Sequence, residues 1–310
     1  MAVAERVDPG RLDVIAFGSI YLEVVFGNLL ALPARGEEIF TDQFAFSCGG
    51  AISIASAASG VGARAGLATV LGDDLGARVA AAHCARVGVD TSACRRVEGP
   101  TSGVTVVLNF DGDRSFISHM PRRDEAMPDA TWWAGVARAR QPKWIYLYAS
   151  GPALGVIAEA RRAGCAVAVD TELGTIGRSP EVVLECAAAA DLFLPTRREL
   201  ARLTGTEDIA HAVAALDAPG ATIIVKEGPN GATVARAGQL EHSSAGLRDV
   251  RVRDRTGAGA AFAGALLGSL ALGRDVMAAV EAANTAGSEA VARLGAIGPV
   301  GLVGEAETRA

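Results

Sequence analysis

Short apolar segments alternate with alanine-rich segments along most of this 310-residue chain, and this alternation limits the possible folds more than any other feature. The apolar runs suit buried strands, and the longer alanine-rich stretches suit helices. Such alternation is typical of a layered α/β fold with a mainly parallel sheet. It predicts strands at 14–17, 144–148, 166–169, 192–194 and 222–225, and helices at 51–60, 76–87, 152–162, 181–189, 197–203, 258–272 and 276–294.

Two stretches, at about 19–43 and 101–120, depart from this alternation. In the second, Thr105, Val107 and Asn109 share one face, and Asp111-Gly112 is typical of a tight hairpin turn. The two stretches could form an antiparallel edge of the main sheet or a small β lid over the functional site. We favour the lid, because both leave the α/β core and return to it. Without a repeat or a linker, residues 1–310 are expected to form one domain.

Composition excludes several classes of partner. The net charge of −6 argues against nucleic acid, whose binding needs a basic face. The longest apolar stretch, 262–272, is much shorter than the roughly 18 residues that span a membrane. The N-terminal residues lack the apolar segment of a signal peptide, which favours a cytoplasmic location. The histidines never occur at i, i+4, so no zinc site is expected. The cysteines form no C-x-x-C pair and are expected to be buried thiols: Cys48, Cys84, Cys94, Cys165 and Cys186.

Residues 254–267 form a polar turn with two glycines that runs directly into an apolar helix. The first turn of such a helix has backbone N–H groups without helical partners and the positive end of the helix dipole, which together bind anions. Gly257 and Gly259 let a phosphate approach the backbone closely, because no Cβ is in the way. Ala260 is unexpected, since a phosphoryl-transferring enzyme needs a proton acceptor at this helix start.

Two other helix starts have alternative interpretations. Gly49-Gly50 precedes the predicted helix at 51–60, and a simple flexible turn explains it. Thr196 and Glu199 have the spacing of a capping box, which explains both residues without any function. In the functional interpretation, Glu199 orders water around Mg²⁺. The spacing does not distinguish these two alternatives.

Lys226 directly follows the predicted buried strand at 222–225 and is one of only two lysines in the chain. Ligands of open α/β sheets gather at the carboxyl ends of strands, so a lysine there is suited to contact a nucleotide. The alternative is an ordinary solvated lysine. No G-x-G-x-x-G follows the first strand, which disfavours a nicotinamide-dependent dehydrogenase. P-loop, nucleophile-elbow and H-E-x-x-H motifs are also missing from the sequence.

Together, these motifs resemble the ribokinase-like family of carbohydrate kinases, often called the PfkB family. The resemblance extends over about 14–297, nearly the whole chain. Several motifs in the same order are far more specific than one short match. They are Gly18-Ser19-Ile20, Gly49-Gly50, the segments 70–76, 194–205, 225–231 and 254–267, Ala283-Asn284, and Leu294-Gly295-Ala296.

The resemblance implies a three-layer fold with a central mostly parallel sheet and a small β-sheet lid. It also implies transfer of the ATP γ-phosphoryl group to a sugar or nucleoside hydroxyl, with Mg²⁺ near Glu199 through water. A monovalent cation such as K⁺ is expected near Asp254 and the Gly295-Ala296 turn. The anion hole would consist of Gly257, Ala258 and Gly259. The residues expected to bind the nucleotide are Lys226, Gly228, Asn230, Gly231, Thr196, Asp254, Thr256 and Asn284. The residues expected to line the acceptor pocket are Glu23, Gly49, Gly50, Ile54, Asn109, Arg122 and Arg123.

Ala260 is the main departure from the family, which has Asp at this position as the base for the acceptor hydroxyl. A positioned base contributes about 10²–10⁴-fold in rate, so we expect ATP binding with very slow turnover. The anion hole and Mg²⁺ would still support residual transfer. Either the site was changed deliberately to trap an intact complex, or a natural relative binds without turnover. We favour an inactivated form of an active kinase, because the motif around Ala260 is otherwise intact.

The expected acceptor pocket also departs from the family. Glu23 is one methylene longer than the usual Asp, and Ile54 replaces a frequent Asn, which removes hydrogen bonds to sugar hydroxyls. Ribose is therefore disfavoured as the acceptor. Thr196 replaces the usual Asn, a milder change because its hydroxyl can still order water. Arg122 and Arg123 either form a solvated rim or recognise an acidic group on the acceptor.

Two alternatives to a sugar kinase remain open. A nucleoside could replace the sugar as the acceptor, or the chain could be a non-catalytic sugar or nucleotide sensor on the same fold. Whichever of these functions applies, the resemblance to the ribokinase-like family predicts a homodimer formed through the lid.

Overall fold

The fold contains fourteen strands and ten helices in the part of the chain that the computed structural model describes. The described residues are 11–110, 113–121, 130–216, 218, 220–236, 239–243, 246–247 and 250–301. The strands are β1 (Val14–Phe17), β2 (Ile20–Leu29), β3 (Gln43–Gly50), β4 (Ala65–Ala68), β5 (Val70–Leu71), β6 (Arg95–Arg96), β7 (Gly103–Phe110), β8 (Arg114–His119), β9 (Trp144–Tyr148), β10 (Ala166–Asp170), β11 (Leu192–Phe193), β12 (Thr222–Lys226), β13 (Ala232–Arg236) and β14 (Gln239–Ser243). The helices are α1 (Ala51–Gly60), α2 (Leu75–Val87), α3 (Ala130–Arg140), α4 (Gly151–Arg162), α5 (Leu173–Arg178), α6 (Pro180–Ala189), α7 (Arg197–Thr204), α8 (Ile209–Ala215), α9 (Ala258–Ala271) and α10 (Val276–Ala290).

The main sheet has eight strands in the order β14-β13-β12-β11-β10-β9-β1-β4. The six strands from β12 to β4 are parallel, whereas β13 and β14 form an antiparallel edge. Parallel neighbours need long crossover connections, which the helices between them supply. The mostly parallel α/β sheet expected from the sequence is therefore confirmed.

The central strands are mostly apolar because helices cover both faces of the sheet. Val14 and Ala16 pack with α1, α2, α9 and α10 on one side. Ile15 and Phe17 pack with α3 to α8 on the other. Successive side chains of a strand point to opposite faces, so every residue of β1 is buried. The three-layer arrangement is confirmed, and among the described helices none is both long and apolar enough to cross a membrane.

A separate sheet has four strands in the order β3-β2-β7-β8, and we call it the small sheet. Because these strands pair with none of the main sheet, the alternative of an antiparallel edge is wrong. Strands β7 and β8 pair antiparallel, as expected for a hairpin, while Asp111-Gly112 lies outside the described residues. The small sheet also contains β3, which the expected boundaries of 19–43 and 101–120 leave out.

Helix α10 ends at Ala290, four residues before the end predicted from the sequence. The Val291 carbonyl accepts the backbone N–H groups of Arg253 and Asp254 at 2.7 and 3.2 Å. Gly295 then has a φ of +74°, which no helix allows. These contacts change the direction of the chain after α10. Residues 295–300, here called the strap, then cross from α10 to the small sheet.

Candidate active site

Helix α9 begins with a glycine in the left-handed conformation. Gly257, its N-cap residue, has a φ of +81°, and no side chain accepts a hydrogen bond from the helix start. By contrast, a Thr or Asp side chain caps α2, α7, α8 and α10. The first turn of α9, Ala258 to Ala260, therefore keeps backbone N–H groups and the positive dipole end free of a capping side chain. The Ala258 N–H makes one long contact, 3.4 Å, with the Arg255 carbonyl.

Asp254 joins the start of α9 to the strap. Its Oδ1 accepts the Thr256 N–H at 2.8 Å, and its Oδ2 accepts the Gly295 N–H at 2.8 Å. Gly257 packs so closely that a Cβ there would lie 2.5 Å from the Ala296 Cα. Only glycine fits this contact, so the glycine of the motif is explained by the strap as well as by access for a phosphate.

Lys226 is buried at the carboxyl end of β12, so the solvated-lysine alternative is wrong. Its Nζ donates to both carboxylate oxygens of Asp170, at 2.7 and 2.9 Å, and its side chain is 10% exposed. A Cβ on Gly259 would lie 3.8 Å from this Nζ. The structure therefore brings Lys226 and the first turn of α9 together. Asp170 is not among the site residues predicted from the sequence, although an acid at the end of a buried strand was a usable signal.

Thr196 and Glu199 form the predicted capping box at the start of α7. Thr196 Oγ1 accepts the Glu199 N–H at 3.2 Å, and Glu199 Oε2 accepts the Thr196 N–H at 2.7 Å. Burial raises the pKa of Glu199, and Asp170 adds to the shift, whereas Lys226 opposes it. The structural interpretation is confirmed, and the role at Mg²⁺ stays a prediction.

Glu23 joins the small sheet to the strap. Its Oε2 accepts the Ala296 N–H at 2.9 Å, and the side chain is 5% exposed. Burial raises the pKa of Glu23 to about 7, the hydrogen bond from Ala296 opposes the shift, and the Asp254 charge adds to it. Next to Glu23, Ser47 Oγ accepts the Ile297 N–H at 3.3 Å and donates to the Gly298 carbonyl at 2.9 Å.

Gly49 and Gly50 allow this close packing. A Cβ on Gly49 would lie 2.3 Å from Glu23 Oε1, and one on Gly50 would lie 2.2 Å from the Ser19 carbonyl oxygen. Gly50 is also the N-cap residue of α1, with a φ of +81° and no side-chain cap. The double glycine is therefore required by close contacts, beyond the flexible turn that its sequence suggests.

Three buried polar atoms near these elements have no hydrogen-bond partner among the described residues. They are Asn109 Nδ2 on β7, Thr171 Oγ1 after β10, and Thr256 Oγ1 before α9. Buried polar atoms are almost always satisfied in folded proteins. Hydroxyl, phosphate and amide groups have the donors and acceptors that these three atoms lack, so their chemistry is compatible with the nucleotide and acceptor that the sequence predicts.

Two expected acceptor-pocket positions differ from the prediction. Ile54 is 1% exposed and lies in the apolar core between α1 and α9, where its carbonyl oxygen would be 2.2 Å from a Cβ on Gly264. It therefore has no surface with which to form a pocket wall, because the two helices pack nearly backbone to backbone. Arg122 and Arg123 lie outside the described residues.

The other expected nucleotide-binding residues lie on two segments. Gly228, Asn230 and Gly231 form the turn between β12 and β13, directly after Lys226, where Gly228 has a φ of +58°. Asn284, on α10, donates from Nδ2 to Ser243 Oγ at 3.2 Å. No group of three or more His, Cys, Asp or Glu side chains suited to a metal ion occurs in the described part. A Mg²⁺ ion would therefore depend on water and phosphate oxygens for most ligands.

The fold and this site define an α/β protein in which a strap links a separate small sheet to a helix start that has no capping side chain. The chain belongs to the pfkB family of carbohydrate kinases, whose family model matches residues 13–301. This finding confirms the resemblance drawn from the sequence motifs.

Three known proteins that are similar to this chain are consistent with membership of this family. The bifunctional protein HldE of Azorhizobium caulinodans is 31% identical over 273 residues, which cover 84% of this chain and 56% of that protein. This chain thus spans little more than half of that relative. A fructokinase of Klebsiella pneumoniae is 29% identical over 242 residues, covering 72% of this chain and 76% of the relative. The structure of an Arabidopsis thaliana ribokinase complexed with ribose and ATP matches with a TM-score of 0.74 and 23% identity, covering 93% and 95% of the two chains.

Proposed function

We propose that this chain is a phosphotransferase that moves the γ-phosphoryl group of ATP to a hydroxyl of a sugar or sugar-like acceptor, and that Ala260 makes it very slow. One observation carries the proposal: the N-terminus of α9 has the form of an anion-binding site, but its third residue is alanine. The fructokinase relative and the ribokinase structure support the class of reaction.

Phosphoryl transfer needs a site that holds the γ-phosphoryl group in line with the acceptor hydroxyl and stabilises its charge. In this proposal, the N–H groups of Gly257, Ala258 and Gly259 bind the phosphoryl oxygens, and Lys226 adds positive charge. Mg²⁺ supplies charge neutralisation between the phosphates when bound, with Glu199 orienting its water. The hydroxyl proton has no base at position 260, because an alanine side chain accepts no proton.

The remaining nucleotide contacts are proposed on the same basis. Thr196 and Thr256 offer hydroxyl groups, and the unpartnered Oγ1 of Thr256 supports its role. The residues proposed to flank the nucleotide further out are Gly228, Asn230, Gly231 and Asn284. For K⁺, both oxygens of Asp254 already accept backbone N–H groups, so a cation near it would rely mainly on carbonyl oxygens.

The acceptor is proposed to bind between the small sheet, acting as a lid, and the start of α9. Glu23 and Asn109 are the polar groups for its hydroxyls, and the Gly49-Gly50 turn, which packs against Glu23 and Ser19, lies beside them. The unpartnered Nδ2 of Asn109 supports this assignment. A sugar is preferred, and a nucleoside is the alternative acceptor.

An Ala260→Asp variant tests the proposal. We expect it to phosphorylate at least one acceptor from a panel of sugars and nucleosides, about 10²–10⁴-fold faster than the unchanged chain. Ala260→Asn is the matched control, because an amide has nearly the same size but is no base. If Ala260→Asp transfers phosphate to none of the acceptors, the kinase proposal is wrong. If it stays inactive but binds a sugar or ATP tightly, the non-catalytic sensor is the better function.

The small sheet also supports a homodimer. Phe26 and Phe44 lie side by side with ring centroids 5.3 Å apart, and Phe44 and Phe46 with centroids 5.0 Å apart. They lie on the face opposite to Val25, which packs inward against Leu294. Phe44 is 50% exposed. A second copy of this chain would cover this apolar face, as the family likeness predicts.

A cytoplasmic location is the last part of the proposal. All five cysteines are free thiols; Cys94 is half-buried, and the other four are buried. Free thiols persist in reducing compartments, which supports the cytoplasm as the location.

A further inference from the structure

Lys226 and Asp170 form a buried ion pair whose geometry leaves the ammonium partly unused. The Lys226 Nζ contacts both oxygens of Asp170, at 2.7 and 2.9 Å, and the two side chains are 10% and 4% exposed. An ammonium group has three N–H donors. The carboxylate takes at most two of them, so at least one is free for another acceptor.

Asp170 is itself held in place from two sides. Tyr146 Oη donates to Asp170 Oδ2 at 3.2 Å, and the Thr171 N–H donates to Oδ1 at 2.8 Å. Tyr146 is completely buried on β9, and burial raises its pKa well above the ordinary value, so it stays a donor. Because these bonds fix the carboxylate, the carboxylate in turn fixes the end of the flexible lysine side chain.

The ammonium is fixed at the start of α9. A Cβ on Gly259, the second residue of the helix, would lie 3.8 Å from the Lys226 Nζ. The unused donor is therefore next to the N–H groups of the first turn, where an anion binds. A lysine on a long flexible stem would otherwise lose considerable side-chain entropy on reaching this position.

We propose that Asp170 is a positioning residue, which holds the Lys226 ammonium where it contacts the phosphoryl group that is transferred. This inference rests on the proposed function and deepens it, because it assigns Lys226 to the γ-phosphoryl group and not to the nucleoside part of ATP. A preorganised charge in a site with little water stabilises developing negative charge without reorganisation. Lys226 and Asp170 thus support the residual transfer that Ala260 leaves.

Binding of ATP and of ADP, each with Mg²⁺, tests the inference by calorimetry on the unchanged chain and its variants. No acceptor is added, so ATP stays intact during the titration. Lys226→Met is expected to weaken ATP binding roughly tenfold or more, the range for one charge-assisted hydrogen bond, and to leave ADP binding unchanged. Lys143→Met is the matched control: the only other lysine contacts Asp13 at 3.1 Å and is expected to change neither affinity.

Asp170→Asn keeps one acceptor oxygen for the Thr171 N–H and places an amide N–H opposite the Tyr146 hydroxyl, which can accept it, but removes the charge that holds Lys226. We expect it to lower the ATP-to-ADP affinity ratio less than Lys226→Met does. Lys226→Met leaves an unpaired buried carboxylate, which is strongly destabilising. The double variant Asp170→Asn/Lys226→Met removes both charges together and is expected to fold and to bind ATP as weakly as Lys226→Met alone, since the two residues act as one unit.

The outcomes separate the inference from the proposed function. If the unchanged chain binds neither ATP nor ADP, the kinase proposal fails. If both bind and Lys226→Met weakens them equally, or weakens neither, Lys226 does not contact the γ-phosphoryl group. If Asp170→Asn lowers the melting temperature without changing the ATP-to-ADP affinity ratio, Asp170 is not the positioning residue. The same follows if the fold-loss in ATP affinity of the double variant equals the product of the fold-losses of the two single variants.

Discussion

Glu23 and Ala296 are 273 residues apart in the chain, yet the Ala296 N–H donates a 2.9 Å hydrogen bond to the Glu23 carboxylate. Ala296 in turn packs against Gly257, the N-cap residue of α9. Ala296 thus contacts both the small sheet and the start of α9, and its strap neighbours Gly295 and Ile297 add bonds to Asp254 and Ser47. Glu23 is therefore linked to the candidate phosphate-binding site by a chain of two direct contacts.

The pKa of Glu23 predicts how stability depends on pH. This pKa rises on folding from 4.5 to about 7, so between these pH values the folded state holds a proton that the unfolded state lacks. The stability therefore falls as the pH rises through this window, by roughly 3 kcal/mol in all. Glu23→Gln lacks this titration. The free energy of unfolding of Glu23→Gln minus that of the unchanged chain is therefore expected to be larger at pH 8 than at pH 5.

Urea unfolding at several pH values measures this difference. Glu37→Gln, which changes an exposed carboxylate, serves as the control. Parallel stability curves for the unchanged chain and Glu23→Gln would show that burial of Glu23 has no such effect.

Gly257→Ala is expected to destabilise the protein more than Gly273→Ala. Both glycines have a positive φ, +81° and +87°, which costs another residue about 1–2 kcal/mol. A Cβ at Gly273 meets nothing within 4 Å, whereas one at Gly257 lies 2.5 Å from Ala296 Cα. We expect Gly257→Ala to cost about 1–3 kcal/mol more, measured as the free energy of unfolding in urea. If both variants lose the same free energy of unfolding, the strap shifts to accommodate the added Cβ without cost, and the close contact with Ala296 does not restrict position 257.

Gly264→Ala and Gly135→Ala are expected to act in opposite directions. Both glycines lie inside helices, where alanine normally stabilises by roughly 0.5–1 kcal/mol. A Cβ on Gly135 meets nothing within 4 Å, so we expect that gain there. A Cβ on Gly264 would lie 2.2 Å from the Ile54 carbonyl oxygen, and the overpacking is expected to cost about 1–3 kcal/mol. Thermal unfolding measures both changes, and stabilisation by Gly264→Ala would contradict the close packing of α1 and α9.

Phe44→Asp is expected to convert a dimer into a monomer. The change introduces a charge in the middle of the aromatic face of the small sheet, where Phe26 and Phe46 are neighbours. Burying an unpaired charge in an interface is strongly unfavourable. Light scattering after size-exclusion chromatography measures the mass. Leu272→Asp, at an exposed position after α9, is the control and should remain a dimer. A monomeric unchanged chain would refute the dimer.

The layered fold followed from local patterns in the sequence. Apolar runs predicted the strands β1, β9, β10, β11 and β12 nearly to the residue. These strands were recognisable because burial on both faces makes a parallel strand apolar at every position. The patterns missed β3, whose sequence reads as a glycine turn, together with the strands β4, β5, β6, β13 and β14 and the helices α3, α5 and α8. They also overextended α10, whose last turn is replaced by contacts with Arg253 and Asp254.

The sequence by itself determined the local features of the site: the glycine start of α9, the capping box of Thr196 and Glu199, and the alanine at position 260. Each depends on residues a few positions apart, so short-range backbone geometry is enough to predict it. Only the tertiary structure decided that Lys226 meets Asp170, 56 residues away, and that Ile54 lies in the core. Those contacts depend on the order of the strands and on how closely two helices pack, which no local pattern in one sequence encodes.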